Sequence, residues 1–282
     1  MITTDIHLHS SNSGDSDEKM EKHVEAALLK GMTHLCFTEH MDMDFPVSDK
    51  ETENIFLLDT DSYYQNYLEI EEKYSSKITL LFGLEWGMQT HLSDKMYSYV
   101  NRYPFDFVIG SEHTTNRKDP YYPEYYNGRS EYEAYCEYFE DIVRNLDCLE
   151  TTKNQNNSEK NMIDTLGHLD YVVRYGPCKN SDYSYSKYGD YIDEILKRLI
   201  DRGIAMEINT GGYKYNLKDP NPSFEVIKRY RELGGEMITI GSDAHSADML
   251  QYEFVKLSQL LKNCGFKYHA IFKQRKPIFL EL

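Results

Sequence analysis

Short runs of β-branched and apolar residues alternate with longer segments of helical period along the 282 residues. The apolar runs predict strands over Thr3–Leu8, Thr33–Thr38, Ile78–Leu84, Phe105–Gly110, Thr165–His168, Ile204–Asn209 and Met237–Gly241. Between and after them the spacing predicts helices near Glu18–Lys30, Ser62–Tyr74, Ser93–Tyr103, Ser130–Leu149, Tyr188–Arg202, Ser223–Leu233 and Ala247–Asn263. In the fifth of these, Ile192, Ile195, Leu196 and Leu199 recur at i, i+3, i+4 and i+7, one face of a helix. Gly31, Gly203 and Gly234 fall where helices should stop, as C-terminal caps do. Seven β-then-α units call for a parallel α/β sheet, wound open or closed into a barrel. The hydrophobic pattern does not choose between the two.

Two stretches break the rhythm. Thr114–Ser130 is rich in Tyr and Pro, has neither period, and reads as a long ordered loop inserted over one face. Thr151–Asn161 is polar and low in complexity, so an exposed connector is expected. No internal repeat appears, and residues 1–282 are expected to form a single barrel domain.

The polar residues at the strand ends are more specific. The first strand ends in Asp5-Ile6-His7-Leu8-His9, and residues two apart on a strand face one side. His7 and His9 therefore present two imidazoles together. The later strands end in Thr38-Glu39-His40, Gly83-Leu84-Glu85, Gly110-Ser111-Glu112-His113, Gly167-His168 and Gly241-Ser242-Asp243-Ala244-His245. Each group lies at a strand's C-terminal end, where barrel and open-sheet active sites gather. Six of the 10 histidines fall there. His23, His34, His91 and His269 have no partner motif, and ordinary core or surface roles are expected for them. Nitrogen and carboxylate donors without thiolate suit zinc, manganese or iron. The donors are too many for one tetrahedral ion, so more than one is implied.

This ordered set resembles the polymerase-and-histidinol-phosphatase (PHP) superfamily, over Asp5 to His245. The resemblance implies a distorted (β/α)7 barrel with two or three divalent metals at the C-terminal ends of its strands. It implies that His7, His9, Glu85 and Asp243 hold one metal; Glu85, His113 and His168 a second; Asp15, His40 and His245 a third. Asp after H-x-H-S, here Asp15, is similar to the histidinol-phosphatase branch, as is the run Gly167-His168-Leu169-Asp170-Tyr171-Val172-Val173-Arg174. In that branch the arginine reaches the phosphate.

Such a metal cluster suits hydrolysis of a phosphate monoester. A bound water would be activated to a pKa near ~7, and direct attack by hydroxide is expected, without a phosphoenzyme. Arg174 is the expected phosphate fork, with Arg129 and Arg117 of the Tyr-rich loop as further candidates. L-Histidinol phosphate, the substrate implied by the resemblance, also carries an ammonium and an imidazole. Asp42, Asp44, Tyr121 and Tyr122 are the candidates for meeting them.

Composition narrows the partners. With 47 acidic and 31 basic side chains the formal net charge is −16, which disfavours a long nucleic acid but not a small phosphate ester. No apolar run approaches the ~18 residues of a membrane span, and the N-terminus has no leader pattern. The five cysteines are scattered without a C-x-x-C pair, as in reduced cytoplasmic proteins. Three other readings compete: a PHP phosphoesterase acting on nucleotides or another small ester, an amidohydrolase, and an inactive metal-holding scaffold. An amidohydrolase often bridges its metals with a modified lysine where this chain has Glu85, and a decayed scaffold should have lost donors. Oligomeric state is not legible.

Overall fold

Why seven strands close on themselves follows from their register. In the computed structural model, which describes residues 2–46 and 54–282, β1 (Thr4–Leu8), β2 (His34–Met41), β3 (Thr79–Gly87), β4 (Phe107–Ser111), β5 (Thr165–Leu166), β6 (Ala205–Asn209) and β7 (Ile238–Gly241) pair in chain order. Every pairing is parallel. Past the end of β7, Asp243 N–H donates to His7 O (2.8 Å) and His9 N–H to Ala244 O (2.9 Å), joining the last strand to the first. The nearly closed seven-stranded barrel that the family resemblance implied is the result.

The helices α1 (Met20–Leu29), α2 (Thr60–Tyr74), α3 (Ser93–Val100), α4 (Glu131–Gln155), α5 (Tyr185–Arg202), α6 (Gly211–Lys214), α7 (Phe224–Glu232) and α8 (Phe254–Asn263) occupy the connections. Ile192, Ile195, Leu196 and Leu199 of α5 are fully buried, as their spacing required, and join outward strand residues such as Phe37 and Phe82 in the larger core. Gly203 caps α5 at φ 64°, a left-handed conformation that costs glycine little. No helix of the described residues is long and apolar enough to cross a membrane.

The helix limits differ from expectation in two instructive places. Capped by Ser130 and Glu133 in a reciprocal box, α4 runs on to Gln155, through part of the expected polar connector. Thr152 is buried there, with its hydroxyl 2.9 Å from Ser93 Oγ. Conversely, α8 starts at Phe254 rather than Ala247, because Gln251 and Glu253 adopt positive φ (56° and 58°) just before it.

A smaller apolar cluster fills the barrel's lower end: Ile6, Cys36, Leu81, Phe107, Ile109 and Ala205 with Ala270, Ile271 and Phe272. The last three belong to β8 (Tyr268–Lys273), which forms an antiparallel hairpin with β9 (Lys276–Glu281). Gln274 N–H reaches Asp106 Oδ1 (2.9 Å), Arg275 Nε reaches Asp164 Oδ2 (2.5 Å), and His269 Nε2 lies 2.9 Å from Thr4 Oγ1. These contacts fall at the starts of β4, β5 and β1. The hairpin therefore plugs the N-terminal end, leaving the opposite rim free for chemistry.

Candidate active site

Each strand rises from this apolar floor to a polar rim. On β3, Leu81 belongs to the floor and Glu85, four residues on, is fully buried at the top. On β1 a bulge intervenes. Asp5 pairs with Leu35 and Leu8 with Phe37, so β1 uses one residue more than β2 over that span. Ile6 consequently faces the floor while Leu8, two residues later, joins the outer core. The bulge re-aims His7, and its Nε2 meets His9 Nε2 at 3.1 Å. A Cβ on Gly241 would fall 2.2 Å from His7 Cβ, so only glycine lets β7 pass this imidazole.

Glu85 is the hub. Its Oε2 lies 3.2 Å from His7 Nε2, 3.4 Å from His9 Nε2 and 3.0 Å from His40 Nδ1. Its Oε1 lies 3.2 Å from His113 Nε2 and 3.0 Å from His168 Nε2. The carboxylate thus divides five imidazoles between its two oxygens. Ser111 Oγ donates to Oε1 at 2.6 Å and fixes the rotation. Asp243, at φ 56°, turns Oδ1 toward His7 (3.7 Å) and His9 (3.5 Å). Asp15 Oδ2 lies 3.0 Å from His245 Nε2 and 3.4 Å from His40 Nε2. All nine donors named from the sequence converge on one rim.

Their surroundings hold the rings in place. Glu207 Oε1 takes His7 Nδ1 at 2.5 Å, and Asp42 Oδ1 takes His113 Nδ1 at 2.6 Å. Carboxylates behind imidazoles of this kind orient metal-binding histidines.

Charge in the cluster is mutually contradictory as it stands. Burial opposes ionisation of Glu85, but His7, His113 and His40 hold its carboxyl well below the usual range. Burial likewise disfavours the His7 cation, yet Glu207, Glu85 and Asp243 lift it well above an ordinary imidazole. Burial, with His40 and His245, pushes neighbouring His9 down to about 3. Glu85 Oε2 and His40 Nδ1 are buried without a hydrogen-bond partner among the described residues. Several sets of donor atoms, including His7–His9–Glu85 and Glu85–His113–His168, lie within 4.8 Å of one another. Unpartnered oxygen and nitrogen donors in such groups fit divalent metal ions, which would resolve the contradiction with fixed positive charge.

Above the cluster opens a cavity of about 340 Å³, within the range of small-molecule sites. Arg174 lines it and is 3% exposed. Its Nε donates to Asn221 Oδ1 (2.8 Å), Nη1 to Asp243 Oδ2 (2.9 Å) and Nη2 to Asn209 Oδ1 (3.0 Å). Three of five N–H groups are thereby used, leaving two for an incoming anion. Asn221 in turn donates to Asp170 Oδ1 at 2.6 Å, and Asp170 also accepts from Ser223 N–H at 2.9 Å. The aspartate of the G-H-x-D-x-x-x-R run thus holds the asparagine that holds the arginine.

Residues 5–211 match the PHP domain. The chain belongs to the PHP family. Among PHP relatives it is 34% identical to the probable histidinol-phosphatase of Clostridium acetobutylicum, over 98% of this chain and 96% of that one. It is 33% identical to the histidinol-phosphatase of Lactococcus lactis, over 98% and 96%. Its fold is similar to the crystal structure of the Lactococcus lactis histidinol phosphate phosphatase complexed with zinc, L-histidinol and phosphate. The TM-score is 0.83, with 31% identity and 98% of each chain covered.

Not every residue singled out from the sequence reaches the cavity of this PHP barrel. Arg129 donates to Tyr125 O (2.8 Å), pairs with Glu137 of α4 and lies over the Tyr125 ring, and it does not line the cavity. Arg117 is exposed in a turn at φ 60° and is absent from the lining. Asp44 points away and pairs with His91 at 3.0 Å. Tyr121 is exposed, packing edge-on against Tyr175, and Tyr122 packs against Tyr121; neither lines the cavity. Asp42 does line it, but one of its oxygens is committed to His113.

Other residues arrive unannounced. Tyr171, Tyr175, Tyr215, Phe45 and Phe56 supply aromatic walls, and Lys214 and Asp119 supply charge. Lys214 Nζ donates to Asp243 O at 2.9 Å, and burial lowers its pKa. A signal for β6 did exist: Glu207 and Asn209 alternate inside an otherwise apolar strand, the mark of polar groups aimed at a site.

Proposed function

We propose that this chain is a metal-dependent phosphomonoesterase that hydrolyses L-histidinol phosphate to L-histidinol and phosphate. The observation that carries the reading is Glu85, which shares its two oxygens among five imidazoles directly beneath a cavity edged by Arg174. The full-length likeness to histidinol-phosphatases supports the substrate.

Two or three divalent cations (zinc, manganese or iron) would be held as follows. His7, His9, Glu85 and Asp243 form one seat, Glu85, His113 and His168 a second, and Asp15, His40 and His245 a third. Cations in these seats supply charge to clamp the phosphate oxygens and to activate water near neutral pH. The chain's own residues do the positioning. Arg174, braced on three sides, offers its two remaining N–H groups to a pair of phosphate oxygens. Lys214, already turned to the Asp243 carbonyl, adds a second cation on that side. Buried Glu207 and Asp42 keep His7 and His113 oriented throughout. The aromatic walls exclude water around the organic part of the ester.

The test is phosphate release from L-histidinol phosphate against sugar phosphates, nucleotides and short DNA, with purified metal-replete protein. Histidinol phosphate should exceed the others in kcat/KM by at least tenfold. A nucleotide or sugar phosphate in first place would replace the substrate assignment, and no hydrolysis of any ester would favour a metal-holding scaffold.

A further inference from the structure

Four aspartates line the cavity: Asp15, Asp42, Asp119 and Asp243. Three are committed. Asp15 faces His245 and His40, Asp42 accepts from His113, and Asp243 is shared between Arg174 and the His7–His9 pair. Asp119 is not. Among the described residues its carboxylate takes a single hydrogen bond, to Oδ1 from Tyr121 N–H at 2.8 Å, and no ion pair.

Asp119 is only 8% exposed and lines the cavity. Burial disfavours the charged form and pushes the Asp119 carboxyl up to about 7, with the Tyr121 N–H and the charge of His113 opposing it only in part. The placement is rigid. Thr115 and Lys118 exchange backbone hydrogen bonds at 2.9 and 3.0 Å just before it, and Tyr122 N–H caps the Asp119 carbonyl at 3.1 Å. Behind the loop, buried Tyr125 donates its hydroxyl to Ala134 O at 2.8 Å. Tyr171 lines the same cavity as Asp119 and has the Arg174 guanidinium 5.3 Å from its ring. The cavity lining therefore combines the Arg174 and Lys214 cations, aromatic walls and the Asp119 carboxylate.

We propose that Asp119 is the specificity residue that binds the substrate's ammonium group, in the same cavity as the phosphate grip. This rests on the substrate reading above. It transfers to Asp119 the role that the sequence suggested for Asp42 and Asp44. The ammonium is chosen over the imidazole because it is fully charged at neutral pH, which is what a buried lone carboxylate requires.

The test compares L-histidinol phosphate with 3-(imidazol-4-yl)propyl phosphate, the same ester without the amine, on parent protein and on Asp119→Asn and Asp119→Ala. In the parent, the amine should improve kcat/KM by at least tenfold. In both variants that preference should fall to within about threefold of unity, through KM for histidinol phosphate, with metal content unchanged. Equal losses on both esters would overturn the proposal in favour of a packing role for the loop, as would a preference that survives. Should the variants not fold, competition in the parent protein decides. L-Histidinol should inhibit at least tenfold more tightly than the alcohol lacking the amine, and equal inhibition overturns the proposal. Parent protein that hydrolyses neither ester but cleaves another phosphate would instead sink the substrate reading.

Discussion

Arg174 donates from Nη1 to Asp243 Oδ2 across 2.9 Å, and the other oxygen of Asp243 faces His7 and His9. One carboxylate therefore couples the arginine to the cluster of imidazoles. Both groups are buried, so the bond is little screened by solvent. The arginine cannot swing away without leaving a buried charge unpaired.

Arg174→Ala should lower kcat/KM for histidinol phosphate by about 100-fold, the scale of losing a bidentate hydrogen bond between charged groups. Arg174→Lys should recover only a minor part, since an ammonium lacks the planar fork. Steady-state kinetics beside metal analysis checks this. Unaltered kinetics, or loss of metal in proportion to activity, would remove Arg174 from the phosphate grip.

Asn221→Ala should raise KM by about 3- to 10-fold while metal content holds, because Asn221 touches Arg174 and not the cluster. In an Arg174→Ala background the same change should have almost no further kinetic effect. Additive losses in the double variant would mean that Asn221 acts by another route.

Glu85→Gln should cost both metal and rate. Residues behind metal ligands typically cost 10- to 100-fold when replaced, so a shared hub should cost at least about 100-fold. Metal bound per chain, measured by elemental analysis after desalting, should fall by at least one ion. Chelation of the parent protein should abolish hydrolysis, and zinc, manganese or iron should restore it to different extents. Full metal content with full activity in the variant would contradict the arrangement.

His23 gives a pH prediction outside the cavity. Both of its ring nitrogens are buried without hydrogen-bond partners among the described residues, and burial lowers its pKa to about 4. A depressed folded-state value means that stability is fully present above the unfolded value near ~6.5 and is lost as pH falls toward 4. The loss should reach roughly 3 kcal/mol once both states are protonated. Denaturant unfolding at pH 7.5 and 4.5 should show a smaller drop for His23→Leu than for the parent. Identical drops would show that His23 does not drive acid sensitivity.

Much of the barrel could be read from spacing, because strands and helices bury faces of fixed period. The α5 stripe of Ile192, Ile195, Leu196 and Leu199 needed no tertiary information. The final hairpin was a different case. Its two-residue turn uses Gln274 and Arg275 at φ 52° and 64°, where Asn-Gly is the usual signature, so nothing local announced it. The substrate end of the cavity was harder still. Asp42, Asp44 and Asp119 look alike in the sequence, and only their partners tell a ring-holder from a surface pair from a carboxylate held by one backbone N–H.

By itself the chain's order of residues determined the β-then-α alternation and placed eight of the nine donors, all but Asp15, at strand ends, since both depend on periods of two and of 3.6 residues within a segment. The tertiary structure alone decided which imidazoles share each oxygen of Glu85, how the β1 bulge turns His7 into the cluster, and where Arg174 and Asp119 end up. Those outcomes depend on register between strands far apart in the chain, and a shift of one residue reverses the face that every side chain presents.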